Sequence, residues 1–377
     1  MARTRIVCVV GTRPDAIKTA PVALELRRYS DQVDTLLVST GQHREMLDQA
    51  LGAFGLTPDR DLAIMSRGQT LGQVTTRALT GLEDVFEELS PDYVMAQGDT
   101  TSTFVASLAA FYRRVPFGHI EAGLRTPFID DPFPEEFNRR ATALVTAHHF
   151  APTRRAAENL LKEGYQADTV HVTGNTGIDA VQQIARLPGE EWAPQHPGRV
   201  LLLTTHRREN WGEPQHRIAR AAWRIVEKFA DTMLFVPMHR NPQVREVLSE
   251  HLGSHDRIEL IEPPEYDRFV RLMKRSTLIL SDSGGVQEEA PSFGIPVLVL
   301  RETTERPEGV EAGTAKLVGT DEEEIVMAAS RLLSDQRAYE AMAHAVSPYG
   351  DGQAAARIRY AVLRHFEIES TECPAWG

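Results

Sequence analysis

Short apolar runs that recur along the whole chain constrain its fold more than any other feature. In the first half they lie at residues 6–10, 36–39, 93–96, 117–120, 149–151 and 170–173. The pattern restarts in the second half at residues 200–203, 234–236, 258–261, 278–281, 297–300 and 316–318. Longer stretches with helical spacing separate most of these runs, and buried strands that alternate with helices are typical of parallel sheets. The sequence therefore predicts two α/β domains.

The chain is long enough for each predicted domain to bury its own core, because 377 residues exceed the size of one ordinary domain. A segment rich in Pro and Gly at residues 187–198 predicts a loop between the two series, and we place the hinge slightly earlier, near residue 173. The predicted domains are residues 1–172 and 173–352. A final helix, within residues 353–370, is predicted to pack back on the first domain.

Composition excludes several classes of partner. The chain has 41 Lys and Arg against 53 Asp and Glu, a net charge of −12, so no diffuse basic surface is available for a nucleic-acid backbone. Its two cysteines do not make a disulfide framework, which indicates a reducing compartment. No apolar run approaches the length of a membrane span, and no signal-type segment precedes the first strand. We expect a cytoplasmic protein without a nucleic-acid or membrane partner.

One strand-to-helix junction has the composition of a phosphate site. In LILSDSGGVQEEAP, at residues 278–291, Ser283, Gly284 and Gly285 join an apolar strand to a helix. Glycines let the backbone approach an anion, and the free N–H groups of a first helical turn carry partial positive charge. Glu289 follows about one and a half turns later, where a carboxylate can receive a ribose diol. The junction indicates a nucleotide ligand, and an ordinary glycine-containing turn is the alternative.

A second junction, GTRPDAIK at residues 11–18, carries two cations but only one glycine. It does not match the GxGxxG pattern, so we expect no nicotinamide cofactor. Arg13 and Lys18 instead suit a diphosphate or a leaving group. Solvent-facing charges on a first helix are the alternative.

Three carboxylates follow predicted strand ends or tight turns: Asp99 in QGDTTST, Glu121 in HIEAGLRT and Glu135 in PFPEEFNR. Because ligands of such folds bind at the carboxyl ends of the strands, we expect all three to ring the same cleft. Neighbouring carboxylates can have pKa values pushed apart, which lets one site hold both an acid and a base. The alternatives are structural: Asp99 as a helix N-cap and Glu135 as a first-turn partner of the helix dipole.

The second domain adds candidate histidine and arginine residues. His206, in THRREN, follows the first strand of that domain and is expected at the cleft. Glu209 lies three residues further on, but no second histidine stands at i+4, so we expect no metal site. His239 also follows a strand, and Arg306 offers a second guanidinium for phosphate.

Taken in order, these blocks resemble the non-hydrolysing UDP-N-acetylglucosamine 2-epimerases over nearly the whole chain. The matching blocks are GTRPDAIK, GQHREML, QGDTTST, HIEAGLRT, PFPEEFNR, GNTGIDA, THRREN, DSGGVQEEAP, TTERPEGVEAGT and PYGDG. The resemblance implies two Rossmann-like domains in the glycosyltransferase-B arrangement with an interdomain cleft. It also implies a homodimer.

The resemblance assigns roles to individual side chains. Arg13 and Lys18 face the diphosphate, and Phe269 packs against uracil. The other residues that hold UDP are Ser283, Gly284, Gly285, Glu289 and Arg306. The catalytic residues are Asp99, Glu121, Glu135 and His206.

The implied reaction is reversible C2 epimerisation of UDP-N-acetylglucosamine to UDP-N-acetylmannosamine. The C2 hydrogen has no adjacent carbonyl and is a poor acid until departure of UDP places positive charge at C1. Loss of UDP and of the C2 proton gives a glycal, which takes up UDP again after protonation on the opposite face. This route needs at least two proton-handling groups and no redox cofactor. Which carboxylate is the acid and which is the base stays open.

Some members of the family bind a second UDP-N-acetylglucosamine as an activator. The residues of this chain that match their allosteric site are Gln42, Glu45, Glu135, Arg207 and His239. Two positions depart from the family pattern, since Gly68 stands where arginine is expected and position 45 is often glutamine. The loop at residues 126–131 also replaces one that contains Gly, Lys and Tyr.

Three other functions compete with this interpretation. A glycosyltransferase of the same architecture would also bind a UDP-sugar and expel UDP, but it would need a groove for an acceptor. A hydrolysing epimerase would release the free sugar. A nucleotide-sugar sensor would bind without chemistry, and the crowding of carboxylates together with His206 argues against it.

Overall fold

The computed structural model describes residues 3–41, 44–66, 68–192 and 195–376. The chain forms two compact units, of which the first is Met1–Gln183 with Tyr349–Gly377 and the second is Ile184–Pro348. The chain passes from the first unit to the second within one helix, Thr176–Arg186. The predicted domain bounds, 1–172 and 173–352, stay a prediction.

The first unit contains a seven-stranded parallel sheet. Its strands are β1 (Thr4–Val10), β2 (Val33–Ser39), β3 (Arg60–Asp61), β4 (Tyr93–Gln97), β5 (Phe117–Ile120), β6 (His148–Ala151) and β7 (Val170–Val172). Its helices are α1 (Arg13–Arg27), α2 (Arg44–Gly52), α3 (Leu71–Leu89), α4 (Thr101–Tyr112), α5 (Glu135–Ala143), α6 (Arg154–Lys162) and α7 (Thr176–Arg186). The strand order is β3-β2-β1-β4-β5-β6-β7, which is the Rossmann order with one added strand.

The second unit repeats this plan with a six-stranded parallel sheet. Its strands are β8 (Arg199–Thr204), β9 (Thr232–Pro237), β10 (Ile258–Ile261), β11 (Leu278–Ser281), β12 (Val297–Val299) and β13 (Ala315–Leu317). Its helices are α8 (Glu213–Lys228), α9 (Pro242–Leu252), α10 (Tyr266–Arg275), α11 (Gly284–Glu289), α12 (Pro307–Glu311), α13 (Glu322–Ser334) and α14 (Gln336–Ala343). The order β10-β9-β8-β11-β12-β13 is again the Rossmann order.

Each sheet buries its apolar strands under amphipathic helices. In the first unit, Val7, Val94 and Ala96 of the sheet lie in one core with residues of α3 and α4, including Phe86 and Val105. Local capping supports these helices: Thr70 is the N-cap of α3, and its hydroxyl accepts a hydrogen bond from the backbone N–H of Gln73. The second core joins β8, β9 and β11 to α8, α9 and α13. The recurrence of the apolar runs thus produced two cores, as predicted.

The last helix, α15 (Ala354–His365), belongs to the first unit and packs on α1. The Asp179 carboxylate accepts hydrogen bonds from the backbone N–H groups of Ala354 and Ala355, at 3.1 and 2.9 Å. The guanidinium of Arg359 lies 5.2 Å from the centre of the Tyr29 ring. These contacts tie the chain terminus to the first sheet's helices. Among the described residues, no helix combines the length with the apolar character that crossing a membrane needs.

Candidate active site

The strand order of the first sheet reverses between β1 and β4. The candidate site residues of this unit lie in the segments that follow β1, β4 and β5. In folds of this order, ligands bind where the reversal separates two neighbouring strand ends. Gly11 and Thr12 follow β1, and Asp99 follows β4. Thr100 is the N-cap of α4, because its hydroxyl accepts a hydrogen bond from Thr103 N–H at 3.3 Å. Asp99 is therefore not the helix cap, and the structural alternative for it fails.

Glu121 is a largely buried carboxylate in the turn after β5. Its side chain forms an ion pair with Lys18 of α1, and the two side chains are only 14% and 15% exposed. Glu121 also has a φ of +66°, in the left-handed region that side chains other than glycine rarely adopt. Such a conformation costs on the order of 1–3 kcal/mol and is found mainly at functional sites. The strained turn after β5 thus presents a carboxylate to a lysine.

Asp99 lies in the same unit, and its carboxyl group binds a proton more tightly than an exposed aspartate does. Burial raises the pKa of its carboxyl group, and the negative charge of Glu135 raises it further, while Arg139 and Lys18 oppose the shift. Arg139 donates a hydrogen bond to the Asp99 carboxylate at 2.6 Å. Lys18 and Glu135 thus act electrostatically, in opposite directions, on the Asp99 carboxyl group.

Glu135 is the first residue of α5 and is half-buried. It therefore also occupies the first-turn position that favours a carboxylate beside the helix dipole. The next residue, Glu136, is fully buried and pairs with Arg139 and Arg140 at 2.9 and 2.7 Å. These pairs fix the start of α5, and so they position Glu135. Arg13 opens α1 in the same unit and is half-buried as well.

Asp15 is a buried carboxylate that the sequence analysis did not single out. It is 2% exposed and accepts hydrogen bonds from Gly11 N–H, Thr12 N–H and the Thr100 hydroxyl at 3.1 to 3.2 Å. Burial raises its pKa to about 6, although these hydrogen bonds oppose the shift. Asp15 therefore joins the loop after β1 to the loop after β4. Its position in GTRPDAIK was visible, but its link to Thr100 was not.

In the second unit, His206 follows β8 and Asp282 follows β11, on either side of the reversal in the second sheet. The His206 Nδ1 lies 3.0 Å from the Asp282 carboxylate, which is completely buried. This carboxylate also accepts hydrogen bonds from the backbone N–H groups of His206 and Arg207 and from the Asn210 amide. Burial alone would raise the pKa of Asp282, but the hydrogen bonds, with that from His206 foremost, hold it below its ordinary value. Asp282 orients the His206 ring.

The residues assigned to an allosteric role lie partly inside this cluster. The His239 ring stacks on the His206 ring with centroids 6.1 Å apart. Burial, followed by the charge of His206, lowers the pKa of His239. Arg207 pairs with Glu305 at 2.8 Å. The other two allosteric candidates are not placed, because Gln42 lies outside the described residues and so does the side chain of Glu45 in α2.

The Ser-Gly-Gly junction brings Arg306 to the start of α11. A Cβ atom on Gly284 would come within 2.5 Å of the Arg306 guanidinium carbon, so glycine is what allows the guanidinium to lie against the helix start. Arg306 is held there by Glu288 at 2.7 Å and by Glu305 at 2.8 Å. A Cβ atom on Gly285 would meet its nearest neighbours at 3.8 Å or more, which is ordinary contact. The two glycines are therefore not equivalent.

The remaining candidates of this unit line up on α10 and α11. Ser283 is the N-cap of α11, and its backbone N–H donates to the Ser281 hydroxyl at 3.0 Å. Glu289 ends α11 and is half-buried. Phe269 lies in α10 with a half-buried ring, the kind of surface on which a base can stack. Glu305 and Glu288, which the sequence analysis missed, hold the arginines of this cluster in place.

Two Rossmann-ordered sheets, each with ionisable side chains at the reversal of strand order, are typical of α/β enzymes that bind anionic ligands. The particular family follows from comparison with known proteins. The chain belongs to the UDP-N-acetylglucosamine 2-epimerase family, whose model matches residues 25–363.

Individual relatives agree over almost the full length. A UDP-N-acetylglucosamine 2-epimerase of Bacillus subtilis (strain 168) is 51% identical over 97% of this chain and 97% of its own. The crystal structure of UDP-GlcNAc 2-epimerase from Neisseria meningitidis bound to UDP-GlcNAc is 46% identical, covers 96% of this chain and 100% of that one, and gives a TM-score of 0.83. An S. aureus co-structure with UDP is 44% identical over 99% and 100% of the two chains, with a TM-score of 0.88. The predicted family, the two Rossmann-like domains and the isomerase class are confirmed, whereas the roles of individual residues stay predictions.

Proposed function

We propose that this protein interconverts UDP-N-acetylglucosamine and UDP-N-acetylmannosamine by reversible epimerisation at C2. The observation that carries the proposal is the first-unit cluster, in which Lys18 pairs with Glu121 while Asp99 lies within electrostatic reach of Lys18 and Glu135. Carboxylates in different environments can serve as acid and base, and a nearby lysine can stabilise the negative charge of the departing UDP. The names of the relatives support the same substrate.

The reaction proceeds by elimination and re-addition. The C1–O bond breaks with its electron pair leaving on UDP, a carboxylate takes the C2 proton, and a C1–C2 double bond forms. A protonated group then returns a proton to C2 from the opposite face, and a phosphate oxygen of UDP attacks C1. Atoms and charge balance without an oxidant or reductant, so no redox cofactor takes part.

In this proposal the first unit supplies the proton-handling groups. Glu121, as the partner of the Lys18 ammonium group, is the carboxylate that accepts the C2 proton of one epimer. Asp99, whose pKa is raised by burial and further by the charge of Glu135, holds a proton that it gives to the other face. The two carboxylates exchange roles in the reverse direction. Lys18 and Arg13 stabilise the negative charge of the leaving diphosphate.

The second unit holds UDP. Arg306, positioned against Gly284 by Glu288 and Glu305, binds phosphate oxygens together with the N–H groups that begin α11. The remaining members of the UDP site are Ser283, Gly285, Glu289 and Phe269. His206, oriented by Asp282, is the catalytic residue that this unit contributes.

Regulation by a second UDP-sugar is part of the proposal. Arg207 and Arg306 both pair with the Glu305 carboxylate, so a ligand that draws Arg207 away changes the partners of Arg306. The allosteric set is Gln42, Glu45, Glu135, Arg207 and His239. We also propose a homodimer in the cytoplasm, which light scattering after gel filtration and cell fractionation would test.

The test is to incubate the purified protein with UDP-N-acetylglucosamine in deuterated water, without added cofactor, and follow the sugar by NMR. The proposal predicts a mixture of gluco and manno UDP-sugars, both with deuterium at C2. Free N-acetylmannosamine together with UDP would mean a hydrolysing enzyme. Unchanged substrate without exchange would contradict the proposal in favour of a transferase or a sensor.

A further inference from the structure

Three metal-ligating side chains meet in the second unit, where α8 packs against α9. His216 lies near the start of α8, and Glu250 and His251 lie in the last turn of α9. The Nδ1 of His216 is 2.8 Å from the Nε2 of His251, and the two rings are nearly perpendicular at 85°. The ligand atoms of all three residues lie within 4.8 Å of one another. Two helices therefore converge on one point with two imidazoles and a carboxylate.

The distances are close to those of a coordinated ion. In a tetrahedral zinc site with Zn–N bonds of about 2.0–2.1 Å, two nitrogen ligands are about 3.3 Å apart. The His216–His251 pair needs to open by roughly 0.5 Å from its hydrogen-bonded distance, which is a small rotation of two partly exposed rings. Glu250 is exposed at the helix end, so its carboxylate is able to rotate toward the pair. A set of two histidines and one glutamate leaves one position of the ion for water.

A cavity beside this cluster has hydrogen-bond donors without acceptors. The cavity has a volume of about 350 Å³, and its lining includes His216, Glu250, Trp211, Gln215 and Glu246. Gln215 is 1% exposed, and neither its Nε2 nor the indole Nε1 of Trp211 has a hydrogen-bond partner among the described residues. Buried donors of this kind normally have an acceptor, because leaving one unpaired costs about 1–3 kcal/mol. A negatively charged oxygen ligand on a nearby metal ion, such as hydroxide, would supply that acceptor.

We propose that His216, Glu250 and His251 bind a divalent transition-metal ion of the zinc type, with the open coordination position toward this cavity. The ion joins the start of α8 to the end of α9 and so stabilises the second unit. Gln215, which lines the cavity, also accepts a hydrogen bond from the Thr205 hydroxyl at 3.2 Å, next to His206. This site is separate from the epimerase chemistry, and the proposal does not depend on it.

The sequence alone gave no sign of this site. His216 and His251 are 35 positions apart on different helices. His251 also has a second histidine, His255, at i+4, but His255 pairs with Glu227 instead. In the sequence, His206 and Glu209 stand three residues apart, as some metal ligands do. Glu209 instead pairs with Arg301 at 2.6 Å.

The experiment is equilibrium dialysis of the full chain, stripped with a chelator, against ZnCl₂, followed by thermal unfolding with and without zinc. We expect one zinc ion per chain and a melting temperature raised by roughly 5 °C at a hundredfold excess over the dissociation constant. His216→Gln and His251→Gln should each weaken binding at least about tenfold and abolish the thermal shift. The matched control is His255→Gln, which removes a histidine that pairs with a single carboxylate, Glu227, at 2.8 Å. This control should bind zinc as the wild type does.

Two further measurements keep the outcome decisive if a variant folds poorly. Hydrogen exchange of the wild type should show zinc-dependent protection in peptides of α8 and α9 and none in the first unit. Wild-type protein loaded with Co²⁺ should show the visible absorption of a four-coordinate ion. Zinc binding that is equally strong in the His216→Gln and His251→Gln variants, protection elsewhere, or no binding to the wild type would overturn the proposal.

Discussion

The two units share one strand order but differ in what they place at its reversal. In the first unit, Asp99 and Lys18 follow the two strands at the reversal, and Glu121 pairs with Lys18. The ionisable groups there are mainly carboxylates around a lysine. In the second unit it carries His206 and a glycine junction with Arg306. The Rossmann order thus favours ligand binding at the same place in each sheet, and we expect the loops to determine whether protons are moved or phosphates are held.

Each unit also has a buried aspartate near its site, and the pKa values of these two aspartates shift in opposite directions. Asp15 in the first unit and Asp282 in the second are each at most 2% exposed and each accept backbone N–H groups from a loop that follows a strand. Burial raises the pKa of Asp15 to about 6, and the hydrogen bonds from its uncharged donors offset only part of that shift. The pKa of Asp282 is lowered despite burial, because an imidazole is among its donors. The Asp15 carboxyl group binds its proton more tightly than an exposed aspartate does, whereas Asp282 binds its proton less tightly and pairs with a histidine.

The largest effect is expected in the first unit. Glu121→Gln removes the carboxylate paired with Lys18 and should lower turnover by about 10³-fold or more, because a general base contributes 10²–10⁴-fold and the leaving-group lysine loses its partner. Asp99→Asn and Glu135→Gln should come close to this loss. The measurement is the initial rate of UDP-N-acetylmannosamine formation by NMR. Glu158→Gln, an exposed carboxylate on α6, serves as the control, and full activity of all three site variants would refute the assignment.

A smaller loss is expected when the orienting carboxylate of the second unit is changed. Asp282→Asn keeps the shape of the side chain but weakens the hydrogen bond that aligns His206, so kcat should fall about 10–100-fold. Since Asp282 acts through His206, the double variant Asp282→Asn/His206→Gln should be no slower than His206→Gln alone. Additive losses in this double-mutant cycle would show that Asp282 acts independently.

The pKa of Asp15 predicts a pH dependence of stability. An Asp with a folded pKa of about 6 and an unfolded pKa of 3.8 binds its proton more tightly when folded, so stability is lost as pH rises from about 3.8 through 6. Asp15→Asn should remove about 2 kcal/mol of the stability change between pH 4.5 and pH 7. Urea midpoints at the two pH values measure this change, with the exposed Asp84→Asn as control. Equal pH dependence in wild type and Asp15→Asn would contradict the account.

The smallest effect separates the two glycines of the second unit. Gly284→Ala displaces the Arg306 guanidinium, whose carbon would lie 2.5 Å from the new Cβ, and should weaken UDP binding about tenfold without unfolding the protein. In Gly285→Ala the new Cβ meets only ordinary contacts at 3.8 Å or more. Because it displaces no neighbour, this variant should change the affinity for UDP by less than about threefold. Calorimetry with UDP compares the two variants. A larger loss for Gly285→Ala would mean that its backbone, and not Arg306, approaches the phosphate.

Much of the fold was predictable because buried parallel strands leave a strong apolar signal. Every run predicted as a strand overlaps one in the structure, and the strand that was missed, β3, consists of two exposed polar residues, Arg60 and Asp61. The sequence also located Asp99, Glu121 and His206 at strand ends. It could not reveal Asp282 as the partner of His206 or Arg139 as the partner of Asp99, since such pairs join segments that only the fold brings together.

The most direct test of the division between the units titrates UDP into Glu121→Gln and Arg306→Ala side by side and measures deuterium incorporation at C2 for both. The account predicts that Glu121→Gln retains UDP affinity but incorporates no deuterium. It predicts that Arg306→Ala loses UDP affinity about tenfold or more, yet still exchanges the C2 proton at saturating substrate. The opposite result, with UDP affinity lost in Glu121→Gln and exchange lost in Arg306→Ala, would contradict it.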